Sequence, residues 1–482
     1  MKTRQYIITN KLNLDINFLT KQIINTDLNI YYDHNLEFSY VEEFNKGIYL
    51  LGFVFDPFNI ERTSEEILND FIKCNDKTAI LKKREKLSGH YILVVSLLNE
   101  TFIFADFFSE MQIFYYKCNN EIFVSSSDKL ILDISSKSLN LNSYKKSLIN
   151  DKDFLHKNEH YFLGYEDWDE DIKKLLPDNT LSLKTLEVNR IDCFNIKTLD
   201  VEEIIELYKV IILNSLDFYK IKFDKIMIGL TAGIDSRLLL AISRLRNFGF
   251  NYFTFSRENE KSKVDTTIAM KIANKLRLNY NSYFLPELDK QFIFPRILSK
   301  TRNIQWYKIN LTHKDVVLTS YGSDFIRGYH DNEPFNNEIS ILKTIKYDIN
   351  KYNQEKTKEW LNSNIQKYLE KESNSFLKIS DLHHLEIRYG KHGSKGSHEH
   401  NFANINMISP FNNKYLQYSV LKSIDINSRK HPENKFHKII INSLLPELEN
   451  IPYNPYNKNI KEKIAEKMFP FYKLYLSLKK KF

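Results

Sequence analysis

Cysteine is scarce in this chain of 482 residues, and its three copies, Cys74, Cys118 and Cys193, have no C-x-x-C spacing. A disulfide framework and a zinc site are therefore not expected. Long apolar runs are also missing: 91-YILVVSLL-98 is far shorter than the roughly 20 residues that cross a bilayer. The start, MKTRQYIITN, has no apolar core of a signal peptide. These absences predict a soluble, cytoplasmic protein.

Charge and composition exclude little beyond that. The net charge is +8 and Lys greatly outnumbers Arg, which we interpret mainly as a Lys- and Asn-rich compositional bias. No interleaved Arg and aromatic patch and no appended RNA-binding module are present, so a nucleic-acid partner is not expected. The basic end, KLYLSLKKKF, is either a membrane-surface contact or a frayed terminus. The length predicts two or three domains.

Residues 1–198 have the pattern of an α+β domain in which helices pack on sheets. Short segments rich in Ile, Val, Phe and Tyr are separated by turn residues. Strands are predicted at 48–56, 90–98, 101–107, 112–117 and 121–127, and helices near 64–74 and 140–150. The segment 175–194 predicts a closing hairpin whose first turn is Pro177-Asp178-Asn179.

Residues 199–482 change to an α/β pattern. A helix at 201–219 precedes a strand at 226–230, and strands at 251–256 and 280–286 then alternate with helices at 236–247 and 264–277. Such alternation predicts a parallel sheet covered by helices. Beyond residue 335 the chain is predicted to be mostly helical.

The stretch 226-IMIGLTAGIDSRLLLAIS-243 joins a strand to a helix through small residues. Small residues let backbone N–H groups approach an anion, and a helix N-terminus adds positive potential. Thr231, Gly233 and Ser236 are therefore candidates for binding phosphate groups, and Asp235 for binding Mg²⁺. No Lys follows the glycine, which excludes the GxxxxGK[ST] loop. The alternative is a helix N-cap formed by Asp235 or Ser236 after a tight turn.

This loop resembles the SGGxDS loop of ATP-pyrophosphatases, with Thr231 and Ala232 in place of Ser and Gly. Those enzymes cleave ATP to AMP and pyrophosphate while they adenylate a carboxylate or carbonyl oxygen. Asp265 lies where they commonly place an acid before the next helix. The resemblance implies an adenine-nucleotide α-hydrolase-like fold for residues 199–482, with ATP and Mg²⁺ as cofactors.

Two later segments resemble asparagine synthetases and β-lactam synthetases. The segment 316-VVLTSYGSDFIRGYH-330 is similar to their Y-G-x-D form. This similarity implies that Tyr321 is catalytic, that Gly322 contacts the nucleotide and that Asp324 binds Mg²⁺. The segment 385-LEIRYG-390 resembles their E-x-R element, and Glu386 is expected to accept a proton from Tyr321.

The segment 445-LPELENIPYNPYNKNIKEK-463 resembles the region of the family's essential lysine. Spacing does not decide between Lys458, the first choice, and Lys461. The lysine is expected to stabilise oxyanion charge. An unrelated solvent-facing lysine is the alternative in a chain so rich in lysine.

The first domain resembles the glutamine-hydrolysing, Ntn-hydrolase-like domain of the same family, through 87-LSGHYILVV-95, Asp106 and 123-FVSSS-127. Glutamine hydrolysis in that family needs a Cys at the mature N-terminus. Here Met1 is followed by Lys2, so the resemblance implies a scaffold without glutaminase activity.

The function implied is an ATP-dependent, AMP- and pyrophosphate-forming amide ligase of secondary-metabolite or surface-polysaccharide synthesis. Its partners would be small-molecule or glycan carboxylates and amines; a homodimer is left open. Three alternatives remain: an amidotransferase that acts on a sugar uronic acid with external ammonia, a cyclase that closes a lactam or a modified peptide, and a degenerate relative that acts as a partner protein.

The His-rich stretch 383-HHLEIRYGKHGSKGSHEH-400 is predicted to be a loop. A lid or substrate-lining role is favoured over metal binding by His398, Glu399 and His400, because no cysteine joins them and helical spacing is absent.

Overall fold

The computed structural model describes residues 4–11, 14, 19–24, 28–149, 151, 161–246, 248–285, 302–328 and 335–455. Lys458 and Lys461 lie outside the described residues, so their roles stay predictions. Cys74, Cys118 and Cys193 are all free, which confirms the expected lack of disulfides. None of the helices among the described residues is long and apolar enough to cross a membrane.

The first half of the chain, residues up to 198, contains two antiparallel sheets of six strands each among its described residues. Their orders are β10-β8-β9-β1-β3-β2 and β12-β11-β7-β6-β5-β4. The strands are β1 (Tyr6–Thr9), β2 (Leu19–Ile23), β3 (Asn29–Asp33), β4 (Phe38–Glu43), β5 (Lys46–Phe55), β6 (Ser88–Ser96), β7 (Thr101–Ala105), β8 (Phe114–Cys118), β9 (Glu121–Ser125), β10 (Lys173–Lys174), β11 (Asn179–Ser182) and β12 (Val188–Arg190).

The two sheets lie face to face between two layers of helix. Side chains alternate along β5, so that Tyr49 and Leu51 enter the core between the sheets while Ile48 and Leu50 face the helices. The helices are α1 (Ser64–Ile72) and α2 (Lys77–Arg84) on the second sheet, α3 (Asp128–Ser135) on the first, and α4 (Ser143–Leu148). The predicted combination of sheets and packed helices in this half is confirmed.

The second half is built on a parallel sheet of order β15-β14-β13-β16-β17. Its strands are β13 (Lys225–Gly229), β14 (Asn251–Ser256), β15 (Tyr280–Phe284), β16 (Asp315–Leu318) and β17 (Asn406–Ile408). The chain leaves β13 toward β14 and later returns on the other side through β16. The strand order therefore reverses between β13 and β16, which is where open α/β sheets bind ligands.

The helices of this half are α5 (Val201–Tyr208), α6 (Asn214–Lys222), α7 (Ile234–Ser243), α8 (Glu260–Leu276), α9 (Arg302–Asn310), α10 (Glu338–Thr344), α11 (Lys351–Asn362), α12 (Ile365–Leu369), α13 (Ile379–Leu382), α14 (Ser394–Phe402), α15 (Lys414–Ser423), α16 (Ile426–Arg429) and α17 (Lys435–Leu444). π-helical turns at Lys209–Leu213 join α5 to α6, and an eleven-residue π-helical stretch at His383–Gly393 joins α13 to α14.

The two halves share one apolar core. Phe55 of the first half stacks on Phe218 of α6 with ring centroids 4.1 Å apart. Phe108 stacks on Tyr389 at 4.5 Å, and Phe107 meets Tyr418 edge-on at 5.2 Å. The first half thus contributes an aromatic face to a core that it shares with the second half.

The predicted strands and helices of both halves are confirmed, with ends within a few residues; β14, for example, spans the predicted 251–256. The predicted hairpin is β11–β12, and Asp178 precedes it with a φ of 56°. The three-residue β17 had no sequence signal, because it is a strand only through its pairing with β16.

The prediction that residues 383–400 form a loop is wrong. These residues lie in the continuous helical run from α13 through the π-helical stretch to α14, and most of them are buried. His400 Nδ1 donates a hydrogen bond to the Gly396 carbonyl oxygen at 2.6 Å, and burial lowers the pKa of His400 to about 4. The stretch is therefore not a solvent-exposed loop, and its substrate-lining role stays a prediction. No group of three or more His, Cys, Asp or Glu suited to a metal occurs among the described residues.

Candidate functional site

Hydrogen bonds of its own hydroxyl groups hold the loop between β13 and α7 in its conformation. Thr231 Oγ1 lies 3.0 Å from Ser236 Oγ and accepts a hydrogen bond from the Gly233 backbone N–H at 3.1 Å. Gly233 is the N-cap of α7, and no side chain caps this helix. The predicted alternative, an N-cap formed by Asp235 or Ser236, is therefore wrong. The first backbone N–H groups of α7 therefore have no side-chain cap, and they lie where the strand order reverses between β13 and β16.

Neighbouring segments hold this loop in place. The Ala232 backbone N–H donates to Asp265 Oδ1 at 3.0 Å, so the structure brings the predicted acid of α8 to the loop. The Asn454 backbone N–H donates to the Ala232 carbonyl oxygen at 3.1 Å. Arg237 Nη1 donates to the Ile451 carbonyl oxygen at 2.6 Å. The chain just before the predicted lysines therefore lies against the loop.

Two carboxylates meet beyond the ends of β13 and β16. Ser323 Oγ donates to Asp235 Oδ1 at 2.7 Å, while the Tyr389 hydroxyl donates to Asp324 Oδ1. Burial, together with the negative charge of Asp235, raises the pKa of Asp324. Two close carboxylates of this kind can hold a divalent cation, which would offset their repulsion. Mg²⁺ commonly takes one or two protein carboxylates and completes its shell with phosphate oxygens and water.

Arg327 is a site residue that the sequence analysis did not single out. Its Nη1 donates to Asp235 Oδ2 at 2.5 Å, and its Nε donates to Asn434 Oδ1 at 2.9 Å. The Arg327 side chain is 4% exposed, whereas that of Asp235 is 28% exposed. Arg327 thus supplies a fixed positive charge beside the two acids. The sequence signal that could have identified Arg327 is its position in the segment 316–330, which also contains Asp324.

Gly322 contributes backbone shape to this site. Its φ is 98°, and a Cβ on it would lie 2.5 Å from Phe108 Cε2. Both the left-handed backbone and the contact with Phe108 therefore require glycine. The turn that it forms carries Ser323 and Asp324 toward Asp235. Its predicted contact with a nucleotide stays a prediction.

The predicted pair of Tyr321 with Glu386 is not formed. Glu386 accepts from Arg190 Nε at 2.9 Å and from Trp360 Nε1 at 2.7 Å, and Asn179 also donates to it. Its two oxygens are occupied by these donors at the junction of the two halves. Glu386 is therefore a buried structural ion-pair residue in this structure, and the reason is the charge of Arg190 on β12.

Tyr321 lies at the site without a carboxylate partner. Its buried hydroxyl has no hydrogen-bond partner among the described residues, and its ring centroid is 4.4 Å from that of Tyr389. Burial, and next the charge of Asp324, raise the pKa of Tyr321 well above its usual value. The tyrosine that does meet a carboxylate is Tyr389, three residues after Glu386.

A second polar cluster lies between the two halves. His90 Nδ1 is 3.2 Å from Glu110 Oε2, and Asn412 Nδ2 donates to Asp106 Oδ1 at 2.7 Å. Burial raises the pKa of Glu110 to about 8 and that of Asp106 to about 6, while it lowers the pKa of His90. The cluster is therefore largely neutral in weakly acidic solution.

Glu110 should make the stability of the folded protein fall as the pH rises from about 5 to about 8. A carboxyl whose pKa is raised on folding stabilises the folded state fully below its unfolded pKa, and that contribution is lost as the pH rises through about 8. We expect the unfolding midpoint to fall between about pH 5 and about pH 8, and to fall less in Glu110→Gln. The exposed Glu61→Gln is the control, and equal pH slopes in all three proteins would contradict the assignment.

Comparisons with known proteins give distant likenesses. No protein-family model matches the sequence, and no curated protein matches it. Glutamine phosphoribosylpyrophosphate amidotransferase from B. subtilis, solved with ADP and GMP, is 9% identical over 68% of this chain and 72% of that chain, with a TM-score of 0.24. A structure of the allosteric regulatory enzyme of purine biosynthesis is 10% identical over 66% and 69%, with a TM-score of 0.25. At these TM-scores neither likeness establishes the fold or the function of this chain.

Proposed function

We propose that the protein is an ATP-dependent amide ligase that forms AMP and pyrophosphate and does not hydrolyse glutamine. The observation that supports this most directly is the meeting of Asp235, Asp324 and Arg327 beside the β13–α7 loop. Two acids for a cation, one arginine and an uncapped helix N-terminus suit a polyphosphate. The resemblance of the sequence to asparagine synthetases and β-lactam synthetases supplies the reaction class.

The chemistry proposed has two steps. A carboxylate oxygen of the first substrate attacks the α-phosphorus of ATP, and the bond to the departing pyrophosphate breaks. The nitrogen of an amine then attacks the carbonyl carbon of the acyl-adenylate, AMP leaves with the electrons of the broken C–O bond, and the nitrogen loses a proton. Lys458 or Lys461 is proposed to stabilise the oxyanion of the second step.

Different residues of the site would bind the metal ion and the phosphate groups of ATP. Asp235 and Asp324 would hold Mg²⁺, which neutralises phosphate charge when bound. The N–H groups after Gly233 would bind pyrophosphate oxygens, with Thr231 and Ser236 keeping the loop closed. Arg327 would exchange its ion pair with Asp235 for a phosphate oxygen, because a guanidinium binds either anion.

ATP binding tests this assignment without knowledge of the carboxylate or amine. Calorimetry with the full chain should show binding of ATP that requires Mg²⁺. We expect Asp235→Asn to weaken it at least tenfold, about 1.4 kcal/mol of binding free energy. Asp224→Asn is a matched control, because Asp224 is exposed at the opposite end of β13.

The outcomes separate the candidate functions. If the full chain binds no ATP, the ligase proposal fails and the degenerate partner protein replaces it. If Asp235→Asn binds ATP as well as the unchanged protein does, the loop is not the nucleotide site. If ATP binds as expected, pyrophosphate release with candidate uronic acids and amino acids identifies the carboxylate.

A further inference from the structure

A cavity of about 310 Å³ lies between the two halves of the chain, outside the β13–α7 site. The first half lines it with Arg4, Glu37, Phe53 and His90, and the second half with residues that include Asn404 and Asn406. Its volume is at the lower end of the range for small-molecule pockets. The cavity is built from both halves, so it exists only in the assembled chain.

Arg4 is the residue of this cavity that indicates the charge of a ligand. Its Nη1 donates to Asn406 Oδ1 at 2.7 Å, but its buried Nε has no hydrogen-bond partner among the described residues. No ion pair joins it to a described carboxylate. Burial lowers the pKa of Arg4 to about 10, so it remains charged at neutral pH. A buried charge without a paired anion is costly, and an anion that enters the cavity would remove that cost.

The nearby acids are engaged elsewhere. Asp33 Oδ1 accepts from the backbone N–H groups of Arg4 and Asn35, at 3.2 and 2.9 Å. Glu37 Oε2 accepts from Lys222 Nζ at 2.7 Å. These acids still lie close enough to raise the pKa of Arg4 by their charge. They would repel a dianion, and no lysine lines the cavity, so one negative charge fits better than two.

A second unsatisfied polar atom belongs to Asn404, another residue that lines the cavity. Asn404 Oδ1 is buried and has no hydrogen-bond partner among the described residues. A carbonyl oxygen can only accept, so the ligand should carry a hydroxyl, ammonium or amide donor. His90 is bonded to Asn401 and Glu110, while Phe53 and Met111 supply an apolar wall.

We infer that this cavity binds a small organic carboxylate that carries a hydrogen-bond donor near its carboxyl group. Arg4 binds the carboxylate, and Asn404 accepts from the donor. The site is separate from the proposed ATP site, and it requires no nucleotide. Its occupation would tie together the two halves that form its walls.

The experiment uses three acids that differ only at the carbon beside the carboxylate. Propionate has hydrogen there, L-lactate a hydroxyl and L-alanine an ammonium group. Ligand-observed NMR with the full chain measures each affinity, without ATP or Mg²⁺. We expect L-lactate or L-alanine to bind more tightly than propionate, at about millimolar concentration. Inorganic phosphate should not displace them.

Variants locate the binding. Arg4→Gln should weaken it at least tenfold, whereas Arg244→Gln removes the same charge from an exposed position and should leave it unchanged. If Arg4→Gln does not fold, Asn404→Asp serves instead, because Asp tolerates the left-handed φ of 59° and its charge repels a carboxylate.

Three results would overturn the inference: no binding of any of the three acids to the full chain, unchanged binding in Arg4→Gln or Asn404→Asp, or displacement by phosphate. A purely structural Arg4 would lower the melting temperature on replacement and leave these affinities unmoved. Because no nucleotide is present, failure here leaves the ligase proposal standing, and the reverse also holds.

Discussion

Replacing Glu386 with alanine is expected to lower the free energy of unfolding by about 3–5 kcal/mol. The side chain is 2% exposed, and its carboxylate accepts from Arg190 and Trp360. Removing it leaves the guanidinium of Arg190, itself 10% exposed, without its counter-charge between the two halves. Chemical denaturation of the full chain measures the loss. The expected defect is structural, and ATP binding by the remaining folded protein should be unchanged.

The matched control is Glu355→Ala on α11. Glu355 is 57% exposed and pairs only loosely with Lys351, at 3.8 Å. Its replacement should change the free energy of unfolding by less than about 0.5 kcal/mol. Equal, small effects of both substitutions would show that the Glu386 network does not hold the halves together. Loss of ATP binding with full stability would return Glu386 to the catalytic role first expected of it.

Replacing Gly393 with alanine is expected to cost about 3 kcal/mol of unfolding free energy. A Cβ at Gly393 would lie 1.1 Å from the Tyr321 hydroxyl oxygen and 2.0 Å from Cζ of the same ring. The ring must therefore move, and it is packed against Tyr389 and Phe108. Chemical denaturation measures the cost, and the near-ultraviolet circular dichroism of the tyrosines should change with it.

A double substitution and a neighbouring glycine isolate this contact. In a Tyr321→Ala background, Gly393→Ala should be neutral or stabilising by about 0.5–1 kcal/mol, as for other helical glycines. Gly396 lies in the same helical run, and a Cβ there would meet nothing within 4 Å. Gly396→Ala should therefore stabilise the protein by about as much. A large cost of Gly393→Ala without the tyrosine ring would place the strain in the helix backbone.

Much of the fold was predictable because its signals are local. Segments rich in Ile, Val, Phe and Tyr between turn residues mark β5 through β9, and small residues after β13 mark the turn into α7. The proximity of Asp235 to Asp324 also follows from local signals, since both residues follow the carboxyl ends of neighbouring parallel strands.

The errors arise where tertiary contacts decide. Glu386 and Tyr389 are three residues apart, and the phase of the helix determines which one faces Asp324. That phase depends on Arg190, which comes from a distant strand, and on π-helical turns without a sequence signature. The Gly-, Ser- and His-rich stretch is helical because both halves bury it. Composition alone predicts a loop there.

The aromatic face shared by the two halves has a consequence during synthesis. Phe55, Phe107 and Phe108 leave the ribosome well before Phe218, Tyr389 and Tyr418, which cover them in the finished protein. Until then the nascent first half exposes an apolar surface, and partly folded chains with exposed apolar surface are prone to aggregate. The first half is therefore expected to depend on chaperones while the rest of the chain is translated.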